Sequence, residues 1–420
     1  MMFILYNLLF FIGFILYFPF LWLKGKVHGD FLTRFGWWPA ALSADLQAKE
    51  NIWIHAVSVG EILAVQGFIA QLKERYPRHR IVLSTVTTTG YQLAGSKFKD
   101  IKIIFTPLDF NFAAEQYVRR IRPKIYINAE TEIWPNLFRA LQRAGVPIVV
   151  VNGRISDKSL GGYRAIKFFI KKILSWVNIF CMQNQEAADR IIELGALPAK
   201  VRVIGNMKFD DVLQPKILAP QDLGLPGGAW LWVAGSTHPG EEEIVLDVLR
   251  SLSREFQQLR LVIAPRHVER TDDVLNVVRQ KGFSPLKFSQ LTQAPWEPNR
   301  VLVVDTIGQL RSLYGLAEVV FVGKSLTAQG GQNIIEPAFF GKPVIVGPNM
   351  QNFQDITELF KKAGAILQVK DAENLKYELE RLLNDPGRRK LMGTAAREVV
   401  QKSQGATART MNVVGEILKV

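Results

Sequence analysis

From residue 51 to about residue 370 the chain repeats one pattern: a short apolar run, a turn, then an amphipathic stretch. Runs at 52–57, 80–86, 101–105, 124–129, 147–151 and 178–182 predict strands. A second series at 231–234, 260–264, 300–304, 318–322 and 343–346 predicts more, and helical patterns dominate from about 372 to the end. Strands that are apolar throughout and alternate with helices belong in parallel sheets covered on both faces. The alternation breaks at 210–228, where Gln214-Pro215, Ala219-Pro220 and Leu225-Pro226-Gly227-Gly228 have loop composition. The fold class read from this is α/β, with two doubly wound, Rossmann-like domains at 24–213 and 229–420 and a linker at 214–228. With 420 residues and 48% hydrophobic content, the chain can bury two cores.

Ahead of this pattern, Met1 to Leu23 carries no charged residue and is rich in Phe, Leu and Ile. About 20 apolar residues cross a bilayer, so 1–23 predicts a membrane-anchor helix, separable from a body whose alternation begins only near residue 51. A short buried core helix is the competing reading. The basic residues Lys24 and Lys26 follow the apolar run instead of preceding it. That order is unlike a secretory signal and puts the body on the cytoplasmic side. The net charge of +14 calls for an anionic partner, whether nucleic acid, an anionic membrane surface or a phosphorylated substrate. Tyr163 to Leu174 reads as a basic amphipathic helix: either an ordinary surface helix with its apolar face in the core, or a membrane-surface element. The one cysteine, Cys181, lies in an apolar run and predicts a buried thiol, which suits a reducing compartment.

Several strand ends carry chemistry. Ile52 to Val57 leads into Ser58-Val59-Gly60-Glu61, followed by apolar residues at helical spacing. Two readings of Glu61 stand side by side. It closes a capping box with Ser58 as N-cap, or it is a general base at the carboxyl end of a strand, where α/β sheets bind ligands. Glu130-Thr131-Glu132 would put two carboxylates on one face of a strand; a magnesium site there ranks below a hydrogen-bonding role. In the second domain four loops follow predicted strands: Gly235 to Glu243, Ala264-Pro265-Arg266-His267, Gly323-Lys324-Ser325 and Gly330-Gly331-Gln332-Asn333. Together they predict a phosphate or nucleotide pocket, two of them as helix starts with exposed N–H groups. The chain has no G-x-G-x-x-G after its first strand, no P-loop, no nucleophile elbow and no Asp-x-Asp pair. Its histidines form no zinc cluster, so no metal or cofactor is expected.

Ser58-Val59-Gly60-Glu61, Glu130-Thr131-Glu132-Ile133-Trp134-Pro135, Asn152-Gly153-Arg154-Ile155-Ser156, Lys208-Phe209-Asp210, Pro265-Arg266-His267 and Asn333-Ile334-Ile335-Glu336-Pro337 resemble, in order, the 3-deoxy-D-manno-octulosonic acid (Kdo) transferases of lipopolysaccharide synthesis. The resemblance implies a GT-B glycosyltransferase fold, with an acceptor-binding first domain and a donor-binding second domain. It implies CMP-Kdo as donor, a lipid A precursor as acceptor, inversion at the anomeric carbon, and an inner-membrane location with no role for nucleic acid. Carried over by position, Glu61 matches the proton acceptor, and Glu130 and Lys208 match residues that stabilise the transition state. Pro265-Arg266, Ile307-Gly308-Gln309 and Asn333-Ile334-Ile335-Glu336 match the CMP-binding segments. Gln309 departs from the acidic residue expected there, although an amide still bonds ribose or phosphate oxygens. Three rival functions stay open: another membrane-associated GT-B transferase, such as one adding GlcNAc to a lipid-linked precursor; a nucleotide-sugar epimerase; and a non-catalytic membrane-tethered nucleotide sensor.

Overall fold

The computed structural model describes residues 2–23, 31–210, 218–291 and 296–418. Lys24 and Lys26, on which the expected orientation rests, and residues 214–217 of the expected linker lie outside the described residues. The chain divides into two compact units, Met1–Asp211 with Gln404–Val420, and Val212–Ser403.

The first unit holds β1 (Asn51–His55), β2 (Arg80–Thr85), β3 (Lys102–Phe105), β4 (Pro123–Ala129), β5 (Ile148–Gly153), β6 (Ile179–Met182) and β7 (Val201–Val203). They form a parallel sheet in the order β3-β2-β1-β4-β5-β6-β7, so the winding reverses between β1 and β4. Alternate residues feed two cores, as strand geometry requires. Trp53, Val82, Tyr126, Val150 and Phe180 enter one core, and Ile52, Leu83, Ile127, Val149 and Cys181 enter the other. Cys181 is buried as expected, and burial pushes its thiol up to about 12.

The second unit holds β8 (Trp230–Thr237), β9 (Leu259–Pro265), β10 (Ser284–Lys287), β11 (Arg300–Val303), β12 (Val319–Val322), β13 (Val344–Val346) and β14 (Ile366–Gln368). Their order is β10-β11-β9-β8-β12-β13-β14, all parallel, with the reversal between β8 and β12. The sequence pattern missed β7, β10 and β14. Each ends or edges its sheet, has three or four residues and carries Arg, Pro or Gln. Such edges lack the doubly buried apolar run that marks a central strand.

Two segments differ from their expected places. The helix Ala406–Leu418 was expected at the end of the second domain and instead belongs with the first unit. Its Met411, Val413 and Val414 join Phe68, Ile69 and Leu72 in one core, and Asp210 accepts from the backbone N–H groups of Gly405 and Thr407 at its start. Helical periodicity identifies an apolar face but not the sheet that face will meet.

The helix Met2–Leu23 is the second such segment. It was read as separable, yet one face of it is packed. Phe3 meets Phe169 and Trp176, Phe10 and Phe14 meet Phe110, Phe14 also meets Phe35, and Phe18 meets Phe31. Two polar contacts reinforce the rings. Tyr6 donates its hydroxyl to Asp109 Oδ2 at 2.8 Å, and Asn136 Nδ2 donates to Asn7 Oδ1 at 2.6 Å. Asp109 also accepts from the backbone N–H groups of Asn136 (3.0 Å) and Leu137 (2.9 Å). It thereby caps the helix Pro135–Arg143, whose own N-cap residue, Trp134, offers no side-chain acceptor. Asp109 is buried, and that burial holds its carboxyl above the usual carboxylate range.

Asp109→Ala removes a cap and strands Tyr6 together with two N–H groups. It should lower stability by about 1–3 kcal/mol, with Asp109→Asn costing less. Denaturant titration of the detergent-solubilised protein checks this; a midpoint unchanged by the alanine variant would contradict the capping role.

Candidate active site

In the first sheet the winding reversal sets the carboxyl ends of β1 and β4 side by side, the usual crevice for ligands in such sheets. Glu61 follows β1, in the first turn of the helix Val59–Ala64, and Glu130 follows β4. Glu61 is buried. Its Oε2 accepts from the Val57 backbone N–H at 2.7 Å, and its Oε1 accepts from the Ser58 hydroxyl at 3.0 Å. This is not the expected capping box. Ser58 occupies the N-cap with extended backbone, but its hydroxyl caps no helix N–H and donates to Glu61 instead. Glu61 reaches past the N-cap to Val57, so it closes the loop, not the helix end.

Burial, first, and then the charge of Glu130 push the Glu61 carboxyl up to about 7; the Val57 and Ser58 bonds and the charge of Glu132 matter less. Glu132 is likewise raised, by burial and by Glu130. The charge of Glu130 thus acts on both neighbouring carboxyls. Glu130 and Glu132 do not share a strand face as the sequence suggested. β4 ends at Ala129, and Glu130 turns into the left-handed region with φ +56°. That conformation costs a non-glycine residue roughly 1–2 kcal/mol. Two contacts hold it: the Glu130 N–H donates to Val151 O at 2.8 Å, and Arg154 Nε pairs with Glu130 Oε2 at 3.0 Å. Between the two carboxylates, the Thr131 hydroxyl is buried with no hydrogen-bond partner. Among the described residues no group of three His, Cys, Asp or Glu side chains could hold a metal ion.

A buried histidine ties the two loops together. Trp134 Nε1 donates to His55 Nε2 at 3.1 Å, which assigns the ring proton to Nδ1, facing Ser84 Oγ and Thr106 Oγ1, each at 3.1 Å. Burial drives the His55 pKa down to about 3, so the ring stays neutral. His55 ends β1 and Trp134 follows Glu132, so this bond joins the Glu61 loop to the Glu130 loop. The sequence showed only an isolated histidine in an apolar run.

Lys208 lies half-buried on the turn Met207–Phe209, which packs against the helix carrying Glu61. Its backbone N–H donates to Asn206 Oδ1 at 3.0 Å, and Asn152 Oδ1 accepts from the Met207 N–H at 3.0 Å. Gln183 bridges Asn152 O and the Asn206 side chain. Asn152, like Glu130, has a positive φ. Glu61, Glu130 and Lys208 thus come from segments brought together within the first unit.

In the second unit β8 and β12 flank the reversal. Glu241 is fully buried there. Its Oε2 accepts from the N–H groups of His238 and Lys324, and its Oε1 from those of Ser325 and Leu326, all within 2.7–2.9 Å. The loop after β8 was expected to offer its N–H groups to an anionic ligand, but the chain's own carboxylate occupies it. Glu242, also buried, accepts from Thr237 Oγ1 and pairs with Arg270. Pro265 ends β9, and Arg266 is exposed with its N–H on Thr237 O. Ile307 is exposed, Gly308 has φ +94°, and Gln309 precedes the helix Leu310–Leu316 without capping it. Asn333 Oδ1 takes the Ile335 N–H at 3.0 Å, so that donor is not free as expected, and Glu336 pairs with Arg311 at 3.0 Å. Ile334 and Ile335 have side chains fully inside the core, which leaves only their main chain to face a ligand. Gly330 and Gly331 both have positive φ, and a Cβ on either would strike Asn352 or Met350.

Residues 30–211 match the family described as 3-deoxy-D-manno-octulosonic-acid transferase (kdotransferase), and residues 241–399 match glycosyl transferases group 1. The chain is 33% identical to a 3-deoxy-D-manno-octulosonic acid transferase of Haemophilus influenzae, over 90% of this chain and 89% of that one. It is 31% identical to one of Bordetella pertussis, over 92% and 91%. Among solved structures it resembles a glycosyltransferase from Rickettsia africae, with TM-score 0.56 and 15% identity over 88% of this chain and 99% of that one. It also resembles a UDP-GlcNAc 2-epimerase from Neisseria meningitidis, with TM-score 0.59 and 11% identity over 87% and 100%. Both likenesses concern the fold, which is of the GT-B class.

The raised carboxyl of Glu61 has a consequence for stability. A folded-state pKa near 7, against an ordinary value of 4.5, means that the native state holds the proton more tightly. Below pH 4.5 both states are protonated and nothing is lost. As pH rises to about 7 the unfolded state ionises first, and the native state loses up to about 3 kcal/mol. Glu61→Gln removes that titration. The melting temperature of the variant relative to wild type should rise between pH 5 and pH 8. A constant deficit at every pH is the signature of a mere cap and would overturn the titration.

Proposed function

This chain belongs to the 3-deoxy-D-manno-octulosonic acid transferase family and is a Kdo glycosyltransferase; from that premise we propose that it moves Kdo from CMP-Kdo to a lipid A precursor with inversion, using Glu61 as general base. The observation that carries this is a carboxylate fixed by two hydrogen bonds beside the winding reversal, with its pKa raised to about 7. A base whose pKa lies near the working pH is the efficient one.

In this mechanism a hydroxyl oxygen of the acceptor bonds to the anomeric carbon of Kdo. The bond from that carbon to the phosphate oxygen of CMP breaks, and its electron pair leaves with CMP. The hydroxyl proton passes to Glu61. Glu130, held by Arg154, faces the positive charge that develops on the sugar ring, and Lys208 supplies positive charge where negative charge grows. The nucleotide is assigned to the second unit, where Arg266, Gln309, Asn333 and Glu336 offer side chains and Pro265, Gly308, Ile334 and Ile335 offer main chain. Ile307, exposed beside Gly308, completes that set. No metal takes part. The helix Met2–Leu23 anchors the enzyme in the inner membrane, with the body on the cytoplasmic side.

Glu61→Gln keeps the side-chain volume and removes the basicity. Turnover with CMP-Kdo and a lipid A precursor should fall roughly 10²–10⁴-fold, while donor binding by the second unit persists. A near-normal kcat, or turnover with UDP-GlcNAc in place of CMP-Kdo, sinks the reading. Exhaustive chelation is a second check, because the stabilising groups are side-chain charges. The transfer rate should not change with EDTA; a rate that collapses and is restored by magnesium would recast Glu130 and Glu132 as ligands.

A further inference from the structure

The helix Met2–Leu23 is long and apolar enough to cross a bilayer, but length alone does not say that it does. Its contacts with the first unit begin at Phe3 and reach Phe18. At 1.5 Å per residue that docked stretch covers about 22 Å, most of a hydrocarbon core of about 30 Å. A helix docked over that length cannot stand across a membrane unless the charged body enters the hydrocarbon with it. Undocking it would leave Asp109 without Tyr6, and would carry the polar groups of Tyr6 and Asn7 into lipid without partners. It would also uncover the rings of Phe35, Phe110 and Phe169.

The opposite face of the helix points away from the body. Leu5, Leu8, Leu9, Ile12 and Leu16 are exposed along it. The helix against which Phe3 and Tyr6 dock carries exposed apolar side chains of its own. Phe169, which packs against Phe3 and Tyr6, belongs to the helix Lys167–Leu174. That helix buries Ile170, Ile173 and Leu174 but leaves Phe168 79% exposed, next to the exposed Ile166. Lys167, Lys171 and Lys172 stand exposed around them. Apolar side chains bordered by lysines match acyl chains bordered by anionic headgroups.

We propose that the N-terminal helix does not span the bilayer: it stays docked on the first unit and lies in the plane of one leaflet, its outer face in the acyl chains and Lys167, Lys171 and Lys172 at the headgroups. This rests on the anchor reading above and refines it. The enzyme is then monotopic, and the docked helix fixes the height of the body above the leaflet. Because Asp109 joins that helix to the start of Pro135–Arg143, the anchor is coupled to the segment that follows Glu130 and Glu132.

Topology labelling separates the two arrangements. The full chain receives a short Gly-Ser extension with one cysteine ahead of Met1; the native Cys181 is buried. A membrane-impermeant maleimide should label the extension in inverted inner-membrane vesicles, where the body is accessible, and leave it unlabelled in intact spheroplasts. Labelling in spheroplasts, with the protein still membrane-bound and active, overturns the in-plane arrangement and leaves the anchor intact. A protein that does not sediment with membranes at all refutes the anchor reading itself. The docking is tested separately in native membranes with Phe10→Cys combined with Phe110→Cys, whose ring centroids are 5.0 Å apart. A short bifunctional maleimide, long enough to span two docked side chains, should cross-link the pair within one chain; a folded, membrane-bound double variant whose two thiols react with a monofunctional maleimide but are not bridged by the bifunctional one counts against docking. Should that variant fail to fold, the labelling result still decides.

Discussion

Where a buried parallel strand gives way to a helix, backbone N–H groups are left without acceptors, and leaving them unpaired is costly. This chain supplies the acceptors from carboxylates. Asp109 serves the N–H groups of Asn136 and Leu137, Asp210 those of Gly405 and Thr407, and Glu241 four from two loops of the second unit. Glu61 serves Val57. None of the four acts only within its own helix. Asp109, Glu61 and Glu241 hold loops at the carboxyl ends of strands, and Asp210 holds the start of the helix Ala406–Leu418, so the shape of these regions depends on them.

Within this set Glu61 is placed differently. It receives one backbone N–H and one hydroxyl, and it stands near Glu130 and Glu132. Burial and like charge therefore outweigh its hydrogen bonds, and its carboxyl is raised. Arg154 keeps Glu130 paired, so the negative charge that acts on Glu61 is held in a defined position. Positive φ at Glu130 and Asn152, and at Ser236 and Lys324 in the second unit, marks the same strand ends. Conformations of this kind persist where surrounding contacts over-determine them, and they gather at functional sites.

The same carboxylate logic reaches the N-terminal helix. Asp109 accepts from Tyr6 and caps Pro135–Arg143 at once, so the apolar helix shares a residue with the segment that follows the acidic turn. A helix attached in this way is part of the first unit's architecture as well as the proposed attachment to lipid. Its composition alone suggests only the second role.

The alternation of apolar runs and amphipathic stretches determined two doubly wound sheets, because parallel strands buried on both faces have no other pattern available. The ordered motifs determined the family, and the break near 210–228 marked where one alternating series ends and the other begins. Short edge strands such as Val201–Val203 stayed hidden, since three residues carry no periodicity. Only the tertiary structure assigned Ala406–Leu418 to the first unit, docked Met2–Leu23 by one face, paired His55 with Trp134 and filled the loop after β8 with Glu241. The physical reason is common to all four. Periodicity reports that a side chain is apolar or a helix amphipathic, whereas its partner lies tens or hundreds of residues away and is chosen by strand order and packing.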